Sequence, residues 1–260
     1  MLERKPVFPN IIEVNHQLGH VLGCNVYLIF DGDQWVMIDI GYEEVVEEII
    51  DLVRELDFPF SHCKTLIATH ADVDHVQGLA KAKSILRANV SAHPLAAEPL
   101  KSGDRIKTFA HIEAQGIDMP MPQVEVETLI DEGDVIEVGC LKLEVWLTPG
   151  HTDSQLSFRM GDYLFSGDNI YQDGCIGAID AHHGSDLVQF VASLKRIRES
   201  DVKWLLPSHG PIFRKDNALL DSAIQRVEGY LHMADFGTCA IDWPLMDQFE
   251  EDIAAGKMPE

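Results

Sequence analysis

Between residues 70 and 75 the chain reads His-Ala-Asp-Val-Asp-His, so His70, Asp72, Asp74 and His75 crowd four ionisable side chains into six positions. Buried together they would be costly to keep without a cation, because unpaired charge is expensive away from water. Imidazole and carboxylate are also the donors that divalent metals accept. Three more such residues stand alone further on: His151 in Pro-Gly-His-Thr, Asp168 in Ser-Gly-Asp and His209 in Pro-Ser-His-Gly. Four imidazoles and three carboxylates form a donor set suited to two divalent ions. Each outlying residue also has an ordinary alternative. A lone histidine serves as a surface or capping residue, and an aspartate after a strand caps a turn.

The elements around these residues explain how they would meet. Each follows a short apolar run that reads as a strand: Lys64–Thr69, Leu141–Thr148, Tyr163–Ser166 and Val202–Leu206. In layered α/β proteins, ligand sites collect at the carboxyl ends of strands, where several loops share one rim. Residues 25–30 and 35–39 form a hairpin around Asp31-Gly32-Asp33, and 155–160 and 163–166 form another around Gly161-Asp162. Asp39 and Asp168 end the two hairpins at corresponding places, which suggests two halves of similar topology. Helical periodicity is expected over 42–56, 77–86, 185–199 with Ser185 as N-cap, and 216–234.

Residues 94–123 hold Pro94, Pro99, Pro120 and Pro122, show weak periodicity, and present Phe109, Ile112, Met119 and Met121 as an apolar group. A connection this long reads as a lid, an interface or a surface excursion. The expected organisation is a single domain over 1–260, with 94–123 as that segment and 216–260 as a C-terminal helical extension.

Composition narrows the partners. The 260 residues carry 43 acidic and 20 basic side chains, a formal charge of -23, and 46% are apolar. That apolar content supports a sizeable core. The charge argues against nucleic acid or an anionic membrane as partner and favours a neutral or cationic small molecule. No apolar run of signal-peptide or membrane-spanning length is seen, and five cysteines without a close pair do not make a disulfide framework, so a cytoplasmic protein with reduced thiols is expected. A homodimer through 94–123 is a further expectation. Ser208 beside His209 lacks the strand–turn–helix context of a serine nucleophile.

Taken in order, THADVDHVQG, TPGHT, FSGD and PSHG resemble the motifs of the metallo-β-lactamase superfamily, written HxHxDH…H…D…H, and the hairpin ending IDIG resembles its N-terminal D-x-G signature. The resemblance runs from about residue 25 to 212. It implies a four-layer αββα sandwich of two mixed β-sheets with outer helices, and a dinuclear site on its edge. Carried over residue by residue, His70, Asp72 and His151 would hold one ion, Asp74, His75 and His209 the other, and Asp168 would bridge them. Asp39 matches the family's structural aspartate, which braces the ligands without touching metal. The implied chemistry is hydrolysis of a small ester, lactone, thioester or phosphoester by a metal-bridging hydroxide, with Asp74 orienting the nucleophile.

Asp72 departs from the pattern, since the family usually has a histidine there. A third carboxylate makes the ions poorer Lewis acids and shifts preference from zinc toward iron or manganese. Flavodiiron-type members of the superfamily place a glutamate at this position. A non-haem diiron protein acting on O2, NO or a redox substrate is therefore the alternative to a zinc hydrolase, in which the aspartate would be a neutral exchange. Substrate contacts are assigned to Tyr171, His182 and His183, in the loop after Asp168; a helix-entry loop with surface histidines is the ordinary reading of the same residues.

Overall fold

The computed structural model describes residues 3–16, 23–179 and 184–231. The first sheet opens with β1 (Glu3–Phe8), β2 (Ile11–His16), β3 (Tyr27–Asp31) and β4 (Gln34–Ile38), each antiparallel to the last. Parallel strands β5 (Cys63–Ile67) and β6 (Asn89–Ala92) extend it. A two-residue ribbon, β7 (His111–Ile112) with β8 (Ile117–Asp118), lies apart, and β9 (Thr128–Leu129) closes the first sheet beside β6. The second sheet has the order β10 (Val135–Val138), β11 (Leu141–Leu147), β12 (Leu156–Met160), β13 (Tyr163–Gly167), β14 (Trp204–Pro207) and β15 (Phe213–Arg214).

Helices cover the outer faces. On the first sheet these are α1 (Val46–Glu55), α2 (Val73–Val76), α3 (Leu79–Leu86) and α4 (Pro94–Ser102). On the second they are α5 (Leu187–Glu199) and α6 (Asn217–Leu231). Strand alternation sorts the core into three layers. In β4, Trp35 and Met37 face the helices of the first sheet, while Val36 and Ile38 meet Phe158 and Phe165 between the sheets. Trp146 and Leu164 point outward to Phe190, Leu194 and Ile224 of α5 and α6. Three apolar layers separated by two sheets make the protein an αββα sandwich.

The two halves share a plan. An antiparallel hairpin is followed by a parallel strand in both, β3–β4 then β5, and β12–β13 then β14. Both hairpins end in a left-handed residue at the rim, Asp39 with φ 57° and Gly167 with φ 57°, so each chain turns sharply where the donors begin.

Several local expectations are revised. The helix expected over 77–86 is α3, which starts at Leu79 after Gln77-Gly78, and a separate short helix, α2, precedes it within the donor-bearing turn. Ser185 does not cap α5. Asp186 does, accepting from Gln189 N–H at 2.8 Å, while the Ser185 hydroxyl donates to the His151 carbonyl. Part of 94–123 is regular: Pro94 opens α4, where a missing N–H costs nothing, and His93 Nδ1 accepts from Leu95 N–H as its cap. Met121 is buried and Met119 packs on the first sheet's core, so the two methionines of this apolar group are anchored. The extension from 216 is helical to Leu231, and its remainder lies outside the described residues. No helix among the described residues is long and apolar enough to cross a membrane.

Candidate metal centre

The turn after β5 places the first donors. Ile67 ends the strand, and α2 begins at Val73 with Asp72 as its N-cap residue. The Asp72 carboxylate does not cap that helix. Instead its Oδ2 lies 3.6 Å from His70 Nε2 and 3.2 Å from His151 Nε2. An aspartate at a helix start ordinarily caps the helix, but this one turns toward the two imidazoles.

The second sheet delivers the rest from the ends of β11, β13 and β14. His151, Asp168 and His209 all reach the rim above His70 and His75. Asp168 stands between two groups. Its Oδ1 is 3.7 Å from His75 Nε2, and its Oδ2 is 3.7 Å from His151 Nε2 and 3.4 Å from His209 Nε2. His70, Asp72 and His151 offer donor atoms within 4.8 Å of one another, as do Asp74, His75 and His209, and also His70, His75 and Asp168. All seven residues therefore converge.

Outer hydrogen bonds turn three imidazoles so that Nε2 faces inward. His75 Nδ1 donates to Asp39 Oδ2 at 2.9 Å. His70 Nδ1 donates to the Thr69 hydroxyl at 2.9 Å, which in turn donates to Asp39 Oδ2 at 2.8 Å. His151 Nδ1 donates to the Ala178 carbonyl at 2.7 Å. With Nδ1 engaged on the outside, Nε2 is the nitrogen each ring turns to the centre, where it can serve as a ligand once it carries no proton. Asp39 thus braces two rings, one of them through Thr69, a residue the sequence reading passed over. Its only signal was its place between a strand and His70.

The same atoms pass a test of fit for cations. His70 Nε2, His75 Nε2 and Asp168 Oδ1 are buried and have no hydrogen-bond partner. Buried polar atoms are rarely left so, and convergent lone pairs with none are what a cation would satisfy. Glycine makes room at the rim: a Cβ on Gly177 would stand 2.8 Å from the His151 ring, and one on Gly23, whose φ is 84°, would meet the Asp74 carbonyl at 2.5 Å.

The electrostatics agree. Burial opposes charge on His75, yet Asp74, Asp168 and Asp39 around it hold its imidazole well above the ordinary range. The Cys24 thiol beside it is pushed up to about 12 by burial and is uncharged near neutral pH, so the carboxylates carry that effect. Burial also opposes charge on His151, but Asp72 raises it to about 9. His209 is raised by Asp168 against burial, and burial followed by the neighbouring His75 lowers His70. The Asp168 carboxyl is held well below the usual range by His209 and His75, again against burial. The raised imidazoles, His75, His151 and His209, favour protons beside the carboxylates, and a cation bound there would displace them.

Tyr171 stands edge-on to His209, with ring centroids 5.7 Å apart. Burial and then Asp168 keep its phenol protonated well above the usual range. His182 and His183 lie outside the described residues. A cavity of about 210 Å³ opens beside Asp72, walled by Leu95, Glu98, Pro99 and Lys107 from the 94–123 segment and by Thr152. Another, of about 540 Å³, lies between Tyr42, Gln77, Lys81 and Met119. Cys24, Asp39 and His75 form a further close group, which no spacing in the sequence announces.

Comparison with known proteins places this architecture. Residues 20–209 match the family model of the metallo-beta-lactamase superfamily, and the chain belongs to that superfamily. It is 26% identical over 226 residues to a Beta-lactamase-like protein 2 homolog of Caenorhabditis elegans, covering 84% of this chain and 66% of that protein, just under two thirds of its length. It is 31% identical over 112 residues to a hydroxyacylglutathione hydrolase of Methylobacterium nodulans, covering 42% of this chain and 35% of that one. Among solved structures, a subclass B3 metallo-beta-lactamase of Bradyrhizobium japonicum superposes with a TM-score of 0.67 at 20% identity, over 98% of this chain and 96% of that one.

Proposed function

We propose that the protein is a dinuclear metal-dependent hydrolase of a small ester, lactone, thioester or phosphoester. The observation that carries this reading is Asp168, whose two oxygens lie against imidazoles of both donor groups. In it, His70, Asp72 and His151 hold one divalent ion, Asp74, His75 and His209 hold the other, and Asp168 serves both. Such ions supply Lewis acidity toward the scissile bond and a water acidified to near neutrality.

The chain's own residues do the rest. Asp74 is the more open carboxylate, its side chain 27% exposed, and is placed to orient the attacking water and accept its proton. Tyr171, its ring edge-on to His209 and its phenol kept protonated beside Asp168, lines the substrate side of the second donor group. Asp39 and Thr69 hold the imidazoles still while this happens. The cavity beside Asp72 seats one side of the substrate. With one acidic and one basic side chain, Glu98 and Lys107, in its wall and a chain charge of -23, a neutral or cationic substrate is favoured over a polyanionic one. The relative named hydroxyacylglutathione hydrolase supports hydrolysis as the reaction class.

The test is metal analysis of protein purified without chelators, followed by assay on lactone, thioester, ester and phosphoester panels. Zinc with turnover that a chelator abolishes and zinc restores is expected. Inactivity across every panel with both ions in place overturns the reading. The Asp72 contact with His70 and His151 favours one second reading, a non-haem diiron protein with redox chemistry. Iron at about two per chain, with no hydrolysis, would select it.

A further inference from the structure

The loop that carries His209 is pinned by a residue from the other half of the chain. Asn25, just before β3, is 5% exposed. Its side-chain Nδ2 donates to the Pro207 carbonyl at 3.0 Å and to the Gly210 carbonyl at 2.7 Å. Its backbone N–H donates to the Ser208 carbonyl at 2.6 Å. Tyr27 adds a bond from its hydroxyl to the Pro207 carbonyl at 2.7 Å. The carbonyls on both sides of His209 are thus held from one short segment of the first sheet. On the far side, Ser208 N–H donates to the Gly167 carbonyl at 3.1 Å, one residue before Asp168.

His209 depends on this more than the other imidazoles do. His70, His75 and His151 are oriented by acceptors at Nδ1. The His209 side chain is 34% exposed, and its place is set by its loop. The neighbouring Cys24 N–H donates to the Asp74 carbonyl at 3.2 Å, so adjacent residues of one segment bond the backbone of Asp74 and the backbone on either side of His209. Those two residues come from different sheets, and with His75 they form the second donor group.

We infer that Asn25 is a positioning residue that sets the affinity of the second cation group, Asp74, His75 and His209, and leaves the first group untouched. The inference rests on the dinuclear reading above. Losing the amide frees the Gly210 carbonyl, leaves the Pro207 carbonyl to Tyr27 alone, and lets the imidazole swing away from Asp74 and Asp168.

The experiment is a cobalt(II) titration of chelator-treated full-length protein, followed by visible absorption and by metal content per chain. Wild type takes two ions. Asn25→Ala keeps the first at wild-type affinity and binds the second about 10- to 100-fold more weakly. His209→Ala marks the limit, and Asn25→Ala adds nothing to it in the double variant. Tyr27→Phe, which spares the Gly210 bond, weakens the second ion less. Two ions at wild-type affinity in Asn25→Ala overturn the inference while the dinuclear reading stands. Equal weakening of both ions with a lowered melting temperature also overturns it, since that is general destabilisation. A wild type that takes up one ion only overturns the dinuclear reading, and this inference with it.

Discussion

Asp72 Oδ2 lies 3.2 Å from His151 Nε2, a contact that spans 79 residues of sequence and joins the rims of the two sheets. A carboxylate therefore occupies the position between two imidazoles that metal preference responds to most directly. Asp72→His restores the superfamily's usual donor set. It is expected to raise zinc affinity about tenfold or more and to increase hydrolysis, as measured by chelator competition and turnover. A fall in both zinc occupancy and turnover would show that Asp72 is matched to a different ion.

Thr69→Val keeps the shape of the side chain and removes the hydroxyl that links His70 to Asp39. Metal affinity should drop about 10- to 100-fold. The metal-free protein should lose about 1–3 kcal/mol, because Asp39 is buried and loses a donor. Thr69→Ser should recover most of both. Retained metal affinity in the valine variant would remove Thr69 from the bracing network.

Metal removal should lower thermal stability, since cations that bind only the folded chain stabilise it by mass action. At free zinc about 100-fold above its dissociation constant the gain is about 2.7 kcal/mol, and the melting temperature should climb with zinc concentration. A melting temperature indifferent to zinc and to chelator would contradict a metal centre that spans both sheets.

The Arg196 guanidinium donates to both oxygens of Glu132 at 2.8 Å, and its hydrogen bonds hold that carboxyl below the usual range. Because its folded value is depressed, Glu132 stabilises the protein above its unfolded pKa of about 4.5, and the benefit fades as pH falls through the folded value. The pair is about half-exposed, so solvent limits its worth to about 0.5–1 kcal/mol. In metal-free protein, the gap in melting temperature between wild type and Glu132→Gln should be present at pH 7 and shrink in acid. A gap that widens in acid would reverse the sign argued here.

Two similar α/β halves were legible in the sequence because apolar strand runs alternate with helical periodicity and the two hairpins correspond, while the four-layer sandwich came from the family resemblance. The convergence of strand ends was legible too, since each donor directly follows an apolar run. What sequence could not convey is which of several local hydrogen-bonding options tertiary packing selects. Ser185 and Asp186 are both good N-caps, and the His151 carbonyl draws the serine away. Thr69 reads as the last residue of a strand until Asp39 is placed beside it. Asn25 likewise gains meaning only when residue 207 is brought to it from 182 positions away.

The split origin of the donors has a mechanical consequence. His70, Asp72, Asp74 and His75 hang from the first sheet, whereas His151, Asp168 and His209 hang from the second. Any ion shared between them acts as a rivet through the edge of the sandwich. Sliding one sheet against the other would shear the coordination sphere before it disturbed the apolar layers, so the centre doubles as a gauge of how the two halves are aligned.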